Sequence, residues 1–543
     1  MAVAVAAAAA LGLAFLLYHL CFPLFISPLA KIPGPNAFAF TRWRLALEDF
    51  RGTRTRTIHI LHKKYGPVVR LGPSEVSFNS VSALRTIYGA GSGFERTSFY
   101  NMFQVYGRKN MFSFFSGREH SERKKMFANA YAKSAMLKGA NAAMVEAKVR
   151  QYLDLIARQE GSSEIFASLH YFSLDAITDF LYGKYGRTSC LEGSEADCAL
   201  VNDIVDVARR RLSWFTVHLP RFTAWLYSRT GLFGRVARYF YPMQLPTTYT
   251  GIRRHAMIAC QEFACGSPAA EPSETVEQTS PFIAKLWKHH CSRKTNGGLD
   301  DVDIASECAD HLLAGIDTTS DTLMFLIWSL SRSESRKFQQ KLIDEVRSIS
   351  HESLNPYDIP TVETSDKLPY VNAVIKETLR LYAPLPASEP RQASTATVID
   401  GYHIPAGTTV SISPYILHRN PKVFPNPTQF NPDRWIDPSE NTVEMNRWFW
   451  AFSSGSRMCI GVHLAMAEMT TLVTAVYRKY TTTTVGDFDK VSPGITSRYE
   501  VFYDEGCSGV KVSFGFYCYC TGLRPCPLTT YTRNTNATSD STN

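Results

Sequence analysis

The sequence predicts a mainly α-helical protein with small β-sheets, an α+β fold, preceded by one N-terminal transmembrane helix. Apolar residues recur at helical spacing over long stretches, at roughly 140–160, 300–331, 333–350 and 366–382. The alternation typical of strands is short and falls near 67–79 and 395–413. With 45% apolar and 20% charged residues in a chain of 543, the composition is globular. It excludes disordered, collagenous and multi-span membrane proteins.

Residues 1–30 form the predicted membrane anchor, because they carry no charged side chain. The apolar run Ala2–Leu17 continues to Pro23, and about 20 apolar residues cross a bilayer core. A cleaved signal peptide is the alternative, but the run is long for one and no basic residue precedes it. Basic residues follow from Lys31 onward, and this bias places the body of the protein on the cytosolic side.

The rest of the chain divides into three predicted parts. Residues 31–59 are a linker, in which Ile32-Pro33-Gly34-Pro35 makes a stiff, non-helical break. Residues 60–505 show no internal repeat, which indicates one large domain, with an exposed loop at 266–300. Residues 506–543 are a divergent tail, predicted to be disordered because no helix or strand period survives there.

Charge and cysteine usage exclude further classes. The chain has 58 basic and 49 acidic residues, and its net charge of +9 is too dilute to indicate nucleic-acid binding. The 12 cysteines are scattered without paired spacing, so they indicate a reducing compartment rather than a disulfide framework.

The strongest chemical signal is the run Phe452–Gly461, which contains Cys459 and precedes the helical pattern Val462–Tyr477. A cysteine binds a metal as a thiolate, and a helix N-terminus stabilises that anion through its N–H groups and its dipole. Taken alone, a cysteine near two glycines is more often a buried residue ahead of a helix.

The ten-residue run resembles the haem-binding loop of the cytochrome P450 family at its Phe, Gly, Arg, Cys and Gly positions. The resemblance implies a P450 fold in which Cys459 is the metal ligand of haem b, iron protoporphyrin IX. Gly455 and Gly461 are expected to bring the backbone close to the flat macrocycle. Arg457 is expected to pair with a carboxylate on its rim, and Phe452 to shield the sulfur.

A second match involves an acid and two arginines. Glu377 and Arg380 share one face of a helical run, which by itself indicates only a surface ion pair. Arg434 lies between this run and Cys459, in Phe430–Trp435. The resemblance implies that Glu377, Arg380 and Arg434 form a buried structural triad that holds the thiolate loop in place.

The third match lies in the long predicted helix, at Ala314–Thr319. A glycine and hydroxyl side chains in mid-helix predict a local distortion, and a kinked core helix is the alternative. The resemblance implies that Gly315 forms a groove over the haem. It also makes Asp317 and Thr318 the catalytic pair, the first as proton-relay acid and the second as the hydroxyl beside dioxygen.

Weaker matches concern the haem propionates. Arg391 and His418 resemble residues that hold these carboxylates. Where the family usually has a Trp and an Arg four residues apart, this chain has His120 and Lys124, and a lysine binds as a point charge rather than as a fork. The basic residues around them, Arg118–Lys125, form either a solvated face or a docking patch for an acidic flavoprotein reductase.

The resemblance implies a haem-thiolate monooxygenase that oxidises an apolar small molecule with dioxygen. Electrons come from NADPH through NADPH–cytochrome P450 reductase, and substrate contacts are expected from Phe99–Phe115, Leu312, Leu313 and Pro384–Ser388. The overall look is similar to filamentous-fungal members, which implies secondary-metabolite biosynthesis at the endoplasmic reticulum membrane, with one span and the catalytic domain facing the cytosol. Two alternatives stay open: an isomerase or dehydratase of the same fold that needs no external electrons, and a non-catalytic haem or membrane scaffold protein.

Overall fold

The computed structural model describes residues 21–159, 162–202, 214–240, 251–266, 280–291, 298–436, 440–494 and 510–516, with isolated positions at 5–18, 499 and 501. Helices dominate these residues and strands are short, so the predicted mainly α architecture with small sheets is confirmed.

The α-helices in the amino-terminal half come first. They are α1 (Asn36–Phe40), α2 (Trp43–Phe50), α3 (Arg54–Tyr65), α4 (Val81–Tyr88), α5 (Gly117–Lys125), α6 (Lys133–Leu137), α7 (Gly139–Arg158), α8 (Ile165–Tyr182), α9 (Glu195–Cys198), α10 (Pro220–Tyr227), α11 (Gly231–Phe240) and α12 (Gly251–Gly266).

The carboxy-terminal half supplies the longest helix and the helix that follows Cys459. Its α-helices are α13 (Phe282–Cys291), α14 (Asp301–Ser331), α15 (Arg336–Arg347), α16 (Val362–Asp366), α17 (Pro369–Leu381), α18 (Pro414–Leu417), α19 (Glu440–Trp448) and α20 (Val462–Lys479). The helices predicted near 140–160, 300–331, 333–350 and 366–382 are therefore confirmed as α7, α14, α15 and α17.

The strands form three small sheets. They are β1 (Val68–Gly72), β2 (Glu75–Phe78), β3 (Phe94–Arg96), β4 (Ser163–Glu164), β5 (Arg391–Ala393), β6 (Thr397–Ile399), β7 (Tyr402–Ile404), β8 (Thr409–Ser411), β9 (Tyr480–Thr484) and β10 (Lys511–Phe516). The strand orders are β1-β2-β8-β5-β3, β4-β10-β9 and β6-β7. Only the β2–β8 pair is parallel among these described strands.

Helix α14 runs through the largest apolar core and is the element around which the site is built. Its first turn is closed by a capping box, in which Asp300 and Asp303 each accept a backbone N–H from the other. Helix α8 packs closely along it. A Cβ at Gly315 would lie 2.7 Å from Cγ1 and 2.8 Å from Cδ1 of Ile177, so this glycine permits the close approach of two helices.

Three boundaries differ from the sequence prediction. The segment 266–300, predicted as a loop, contains α13, because Phe282, Ile283 and Leu286 share one apolar face and are buried. The linker 31–59 contains α1, α2 and the start of α3, with Phe38, Leu45 and Ile58 buried against β1. The correction places the start of the folded domain before residue 60.

The tail boundary at 505 also needs correction. Strand β10 lies within the segment predicted as a divergent tail, and it pairs with β9 and β4. Its sequence alternates valine and phenylalanine with small or polar residues, from Val512 to Phe516, a period-2 signal that the surrounding Gly- and Cys-rich stretch obscured. Residues 517–543 lie outside the described residues.

The amino-terminal end is fixed to the domain by Arg70. Its guanidinium is buried and donates to the carbonyl oxygens of Gly72 at 3.1 Å, Pro73 at 3.1 Å and Pro23 at 2.5 Å. Among the described residues, no helix combines the length and the apolar character needed to cross a bilayer. Most of residues 1–20 lie outside the described part of the chain, and the anchor stays a prediction.

We expect Gly315→Ala to lower the free energy of unfolding by about 1–3 kcal/mol, because the new methyl group overpacks the contact with Ile177. Chemical denaturation of the purified protein measures this cost. In an Ile177→Ala background, which removes the clashing atoms, the same substitution should cost close to nothing. An equal cost in both backgrounds would show that the glycine serves another purpose.

Candidate active site

The loop that carries Cys459 is shaped by a tight turn against the end of α4. Ser453 and Gly455 have φ values of 58° and 64°, and the N–H of Cys459 donates to the carbonyl of Phe452 at 2.9 Å. A Cβ at Gly455 would lie 2.9 Å from the carbonyl carbon of Gly89 and would also clash with the carbonyl oxygen of Tyr88. Gly455 is therefore required by chain packing, which corrects the expectation that it faces a flat ligand.

The surroundings of Gly461 leave room for the macrocycle that it is expected to approach. A Cβ built on it would meet no atom within 4 Å, so this glycine borders open space at the start of α20. The aromatic side chain of Phe452 is half-buried and packs against the main core.

The thiol of Cys459 is enclosed but accessible. Burial raises the pKa of the Cys459 thiol, while the N–H groups of Gly461 and Val462 and the ammonium of Lys124 act to lower it. The Cys459 side chain is nevertheless accessible to solvent. A side chain that is both desolvated and accessible lines an internal space rather than the outer surface.

A matching space borders α14. From Ile304 to Ser331 every residue of this helix is buried except a set in its middle: Asp310, Leu313, Ala314, Gly315, Asp317 and Thr318. Spacings of three, four and seven residues place Asp310, Ala314 and Asp317 on one face. The accessible stretch is enclosed by buried turns on both sides, so this face of α14 also lines an internal space.

Asp317 and Thr318, the predicted catalytic pair, also lie on this part of α14. The Thr318 hydroxyl donates to the carbonyl of Ala314 at 2.7 Å, the back-bond that threonine makes in a helix. Helix α14 nevertheless continues without interruption to Ser331, so the predicted distortion is absent. Gly315 faces Ile177, which corrects its assignment as a groove over the haem.

The next turn links α14 to the helix that follows Cys459. The Thr319 side chain hydrogen bonds to the carboxyl of Glu468 on α20, and burial raises the pKa of Glu468 to about 8. This contact ties the two walls of the internal space together.

Glu377, Arg380 and Arg434 are in contact, as the resemblance implied. The fully buried Glu377 carboxylate accepts from Arg380 Nε and Nη2 at 2.8 Å each and from Arg434 Nε at 3.1 Å. The indole N–H of Trp435 and the backbone N–H of Asn431 donate to the same carboxylate, both at 2.9 Å. Every lone pair of this carboxylate is used, which is the condition under which a buried charge is tolerated.

Both ring nitrogens of His418 contact backbone groups, which corrects its assignment to the propionates. Its Nε2 accepts the backbone N–H of Trp450 at 2.8 Å, and its Nδ1 lies 3.1 Å from the carbonyl of Arg380. The ring also stacks on Phe449, with centroids 5.4 Å apart. Since both nitrogens are engaged, His418 connects the triad to the segment that leads into the thiolate loop.

Four cations, Arg96, Lys124, Arg391 and Arg457, converge beside the thiolate loop and form the cation cluster. His120 lies among them. Burial and the neighbouring cations Arg457 and Arg96 lower the pKa of His120 to about 2. Burial, Arg96 and Arg391 lower the pKa of Arg457 to about 9. Desolvation is the larger cause in both cases and neighbouring cations add to it, so basic groups lie close to one another in this buried site.

These residues contact mainly backbone carbonyl groups. Arg391 pairs with Glu389 at 3.4 Å. Arg457 donates to the carbonyls of Phe114 and Phe115, and Lys124 to those of Ser456 and Met458, at 2.8–3.0 Å. His120 Nδ1 and Arg96 Nε are buried without a hydrogen-bond partner.

Sequence reasoning missed Arg96. It lies on β3 directly opposite Arg391 on β5, and like charges at opposite positions of a strand pair are destabilising. The signal could not be found in the sequence, since the two short strands are far apart along the chain. A pair of carboxylates would offset much of the positive charge of this cluster, so its residues and the enclosed thiol fit a flat haem with two propionates.

Arg123 is also placed differently from the expected surface patch. It is largely buried and forms an ion pair with Glu307, a fully buried carboxylate on α14. Arg118 and Lys125 remain on the surface.

A family model for cytochrome P450 matches residues 33–493 of the chain. The chain belongs to the cytochrome P450 family. This P450 is an oxidoreductase, and its family implies haem and a supply of electrons from a redox partner. The match also begins at residue 33, in agreement with the early start of the folded domain.

Curated relatives of this P450 come from filamentous fungi. Cytochrome P450 monooxygenase orf2 of Aspergillus niger is 29% identical over 84% of this chain and 86% of its own length. Cytochrome P450 monooxygenase stcB of Emericella nidulans is 29% identical over 84% and 82%. Benzoate 4-monooxygenase bphA of Aspergillus niger is 26% identical over 87% and 91%.

We expect Arg96→Gln to release haem about tenfold faster, because hydrogen bonds to charged groups contribute about 1.5–3 kcal/mol. Transfer of haem from the purified P450 to an excess of apomyoglobin measures the rate. Arg118→Gln is the matched control, since the Arg118 side chain is 85% exposed and should leave the rate unchanged. Equal rates of haem release for both variants would show that Arg96 does not bind the propionates.

Proposed function

We propose that this P450 is a haem-thiolate monooxygenase that oxidises an apolar small molecule with dioxygen and electrons from NADPH, delivered by NADPH–cytochrome P450 reductase. The observation that carries the proposal is the enclosed, accessible thiol of Cys459, together with the accessible face of α14 between Ile304 and Ser331 that presents Asp317 and Thr318.

Haem b, when bound, would supply the activation of dioxygen and the oxidation of the substrate. Cys459 would bind its iron as a thiolate held by the N–H groups of Gly461 and Val462. Phe452 would cover the sulfur. The propionates would be held by the cation cluster defined above.

Asp317 and Thr318 would deliver protons from the α14 side of the site. The Thr318 hydroxyl has its own proton committed to the Ala314 carbonyl, so its oxygen is free to accept a hydrogen bond from a proton donor in the internal space. Asp317, half-buried on the same face, would pass protons inward as a carboxyl group. A positioned acid of this kind contributes typically about 10²–10⁴-fold to rate.

The reductase would dock on the face that carries the thiolate loop. Arg118 and Lys125 are exposed on α5, and Gly455, Ser456 and Met458 are exposed in the loop beside them. Lys124 joins α5 to the loop through its contacts with Ser456 and Met458. Basic residues around the surface next to the thiolate loop favour docking of an acidic redox partner close to Cys459.

We place the protein at the endoplasmic reticulum membrane, with its catalytic domain in the cytosol. Helices α2, α10 and α11 support this proposal, because they expose large apolar side chains: Trp43, Phe50, Phe222, Trp225, Leu232 and Phe233. The α2 region contacts the segment before α10, where Trp214 donates to the carbonyl of Ala46 at 2.8 Å. Exposed apolar surface continuous with the amino-terminal segment suits contact with lipid.

The substrate would be a fungal secondary metabolite. Similarity to P450 monooxygenases of Aspergillus and Emericella supports this class, and the similarity to a benzoate 4-monooxygenase supports an aromatic substrate. The isomerase or dehydratase alternative is disfavoured by Asp317 and Thr318, which such reactions do not need. The scaffold alternative is disfavoured by the accessible face of α14.

The test is product formation from a panel of aromatic metabolites with isotopically labelled dioxygen, NADPH and purified reductase. We expect a product that gains one labelled oxygen atom, only when reductase is present. Asp317→Asn should slow it by about 100-fold, whereas Asp301→Asn, at an exposed acid on the same helix, should not. A product formed without reductase would favour the isomerase, and the absence of any product across the panel would favour the scaffold.

A further inference from the structure

The accessible face of α14 presents a second acid that the proposed mechanism does not use. Asp310 lies about two helical turns before Asp317, on the same face of α14. It is half-buried within a helix whose neighbouring turns are fully buried. Its carboxyl group therefore borders the internal space in which a substrate would lie.

Asp310 differs from its neighbour Glu307 in having no charged partner. Glu307 is matched by the guanidinium of Arg123 and by the N–H of Met111 at 3.1 Å. For Asp310, the contact that the structure gives is a hydrogen bond from the backbone N–H of Phe112, and no cation of the described residues forms an ion pair with it. Glu307 is thus satisfied as a structural ion pair, whereas Asp310 keeps hydrogen-bonding capacity.

The protonation state of Asp310 follows from its surroundings. Burial, followed by the neighbouring Glu307, raises the pKa of Asp310 well above its usual range, and Arg96 and the Phe112 N–H only partly offset this effect. Burial without a cation partner therefore favours the neutral carboxyl over the carboxylate. One oxygen accepts from Phe112, and the O–H remains as a donor that needs an acceptor.

Aromatic rings surround the residue that contacts Asp310. The Phe112 ring lies 4.9 Å from Phe103 and 5.6 Å from Tyr100 between centroids. Tyr499, from the carboxy-terminal segment, lies 5.1 Å from Phe99 and 5.4 Å from Phe103. We call Phe99, Tyr100, Phe103, Phe112 and Tyr499 the aromatic cluster.

The aromatic cluster and Asp310 recognise different parts of one ligand. Ring faces and edges favour a planar aromatic body, and a buried O–H donor favours an oxygen atom that accepts hydrogen bonds. A basic amine would instead require Asp310 to ionise in a desolvated site, at a cost that the pairing would have to offset. The neutral acceptor is the better match.

Building on the proposed function, we propose that Asp310 is a specificity-determining residue that donates a hydrogen bond to a carbonyl oxygen of a planar aromatic substrate lying against the aromatic cluster. This hydrogen bond fixes the orientation of the substrate along α14. It therefore determines which edge of the substrate faces the reacting centre.

Binding of fluorenone and fluorene to the haem-loaded protein tests this assignment, because the two probes differ only in the carbonyl group. Isothermal titration calorimetry measures both affinities without NADPH or dioxygen. We expect the protein to bind fluorenone about fivefold more tightly than fluorene, the difference that one hydrogen bond of about 1 kcal/mol supplies. A failure of the proposed reductase-dependent reaction would leave this measurement unaffected.

The variants separate the carboxyl group from the shape of the pocket. Asp310→Leu and Asp310→Ala should abolish the preference for fluorenone, whereas Asp310→Asn, whose amide still donates, should keep most of it. Leu313→Ala is the matched control on the same face, and it should weaken both probes equally without changing their ratio. If Asp310→Leu does not fold, Asp310→Ala provides the same comparison.

Three results would overturn the proposal. The first is equal binding of fluorenone and fluorene, or no binding of either, by the unsubstituted protein. The second is a preference for fluorenone that persists in Asp310→Ala. The third is tighter binding of aminofluorene than of fluorenone, lost in Asp310→Asn, because the partner of Asp310 would then be a cation.

Discussion

The site depends on the placement of one sulfur atom in a desolvated position that still favours its anion. Burial alone raises the pKa of Cys459, and the N–H groups of Gly461 and Val462, with Lys124, work in the opposite direction. These donors act only if α20 begins where it does and if the loop before it keeps its turn. A ligand cation at the sulfur would complete the balance, because a metal deprotonates a coordinating thiol outright.

Much of the surrounding structure can be understood as holding this loop. The Glu377 carboxylate joins α17 to Arg434 and Trp435, and Arg380 extends the same network to the carbonyl of His418. His418 then binds the backbone of Trp450, and Gly455 lets the loop approach α4. The cation cluster adds a second constraint, since Arg96 and Arg391 lie opposite each other on β3 and β5 and a bound anion would relieve their repulsion. Binding of a dianionic cofactor should therefore stabilise the fold as well as complete the site.

The sequence was sufficient for the helices and for the residues joined by local spacing. Long stretches with apolar residues at helical spacing predicted α7, α14, α15 and α17, and Glu377 and Arg380 are neighbours within one helix. The sequence did not predict contacts between residues that are far apart along the chain. Arg96 gains its role only from pairing with Arg391, and His418 lost its expected role because both ring nitrogens bind backbone groups. Gly315 and Gly455 were correctly noticed but serve chain packing, which no local pattern distinguishes from ligand contact.

The thiolate assignment is tested most directly by the carbon monoxide difference spectrum of the reduced, haem-loaded protein with Cys459→Ser, beside Cys265→Ser as a control at another exposed cysteine. The unsubstituted protein and Cys265→Ser should both show the absorption band of thiolate-ligated haem. Cys459→Ser should bind haem through the cation cluster but lose that band. A thiolate band that persists in Cys459→Ser would contradict the central claim, because the sulfur bound to iron would have to come from another residue.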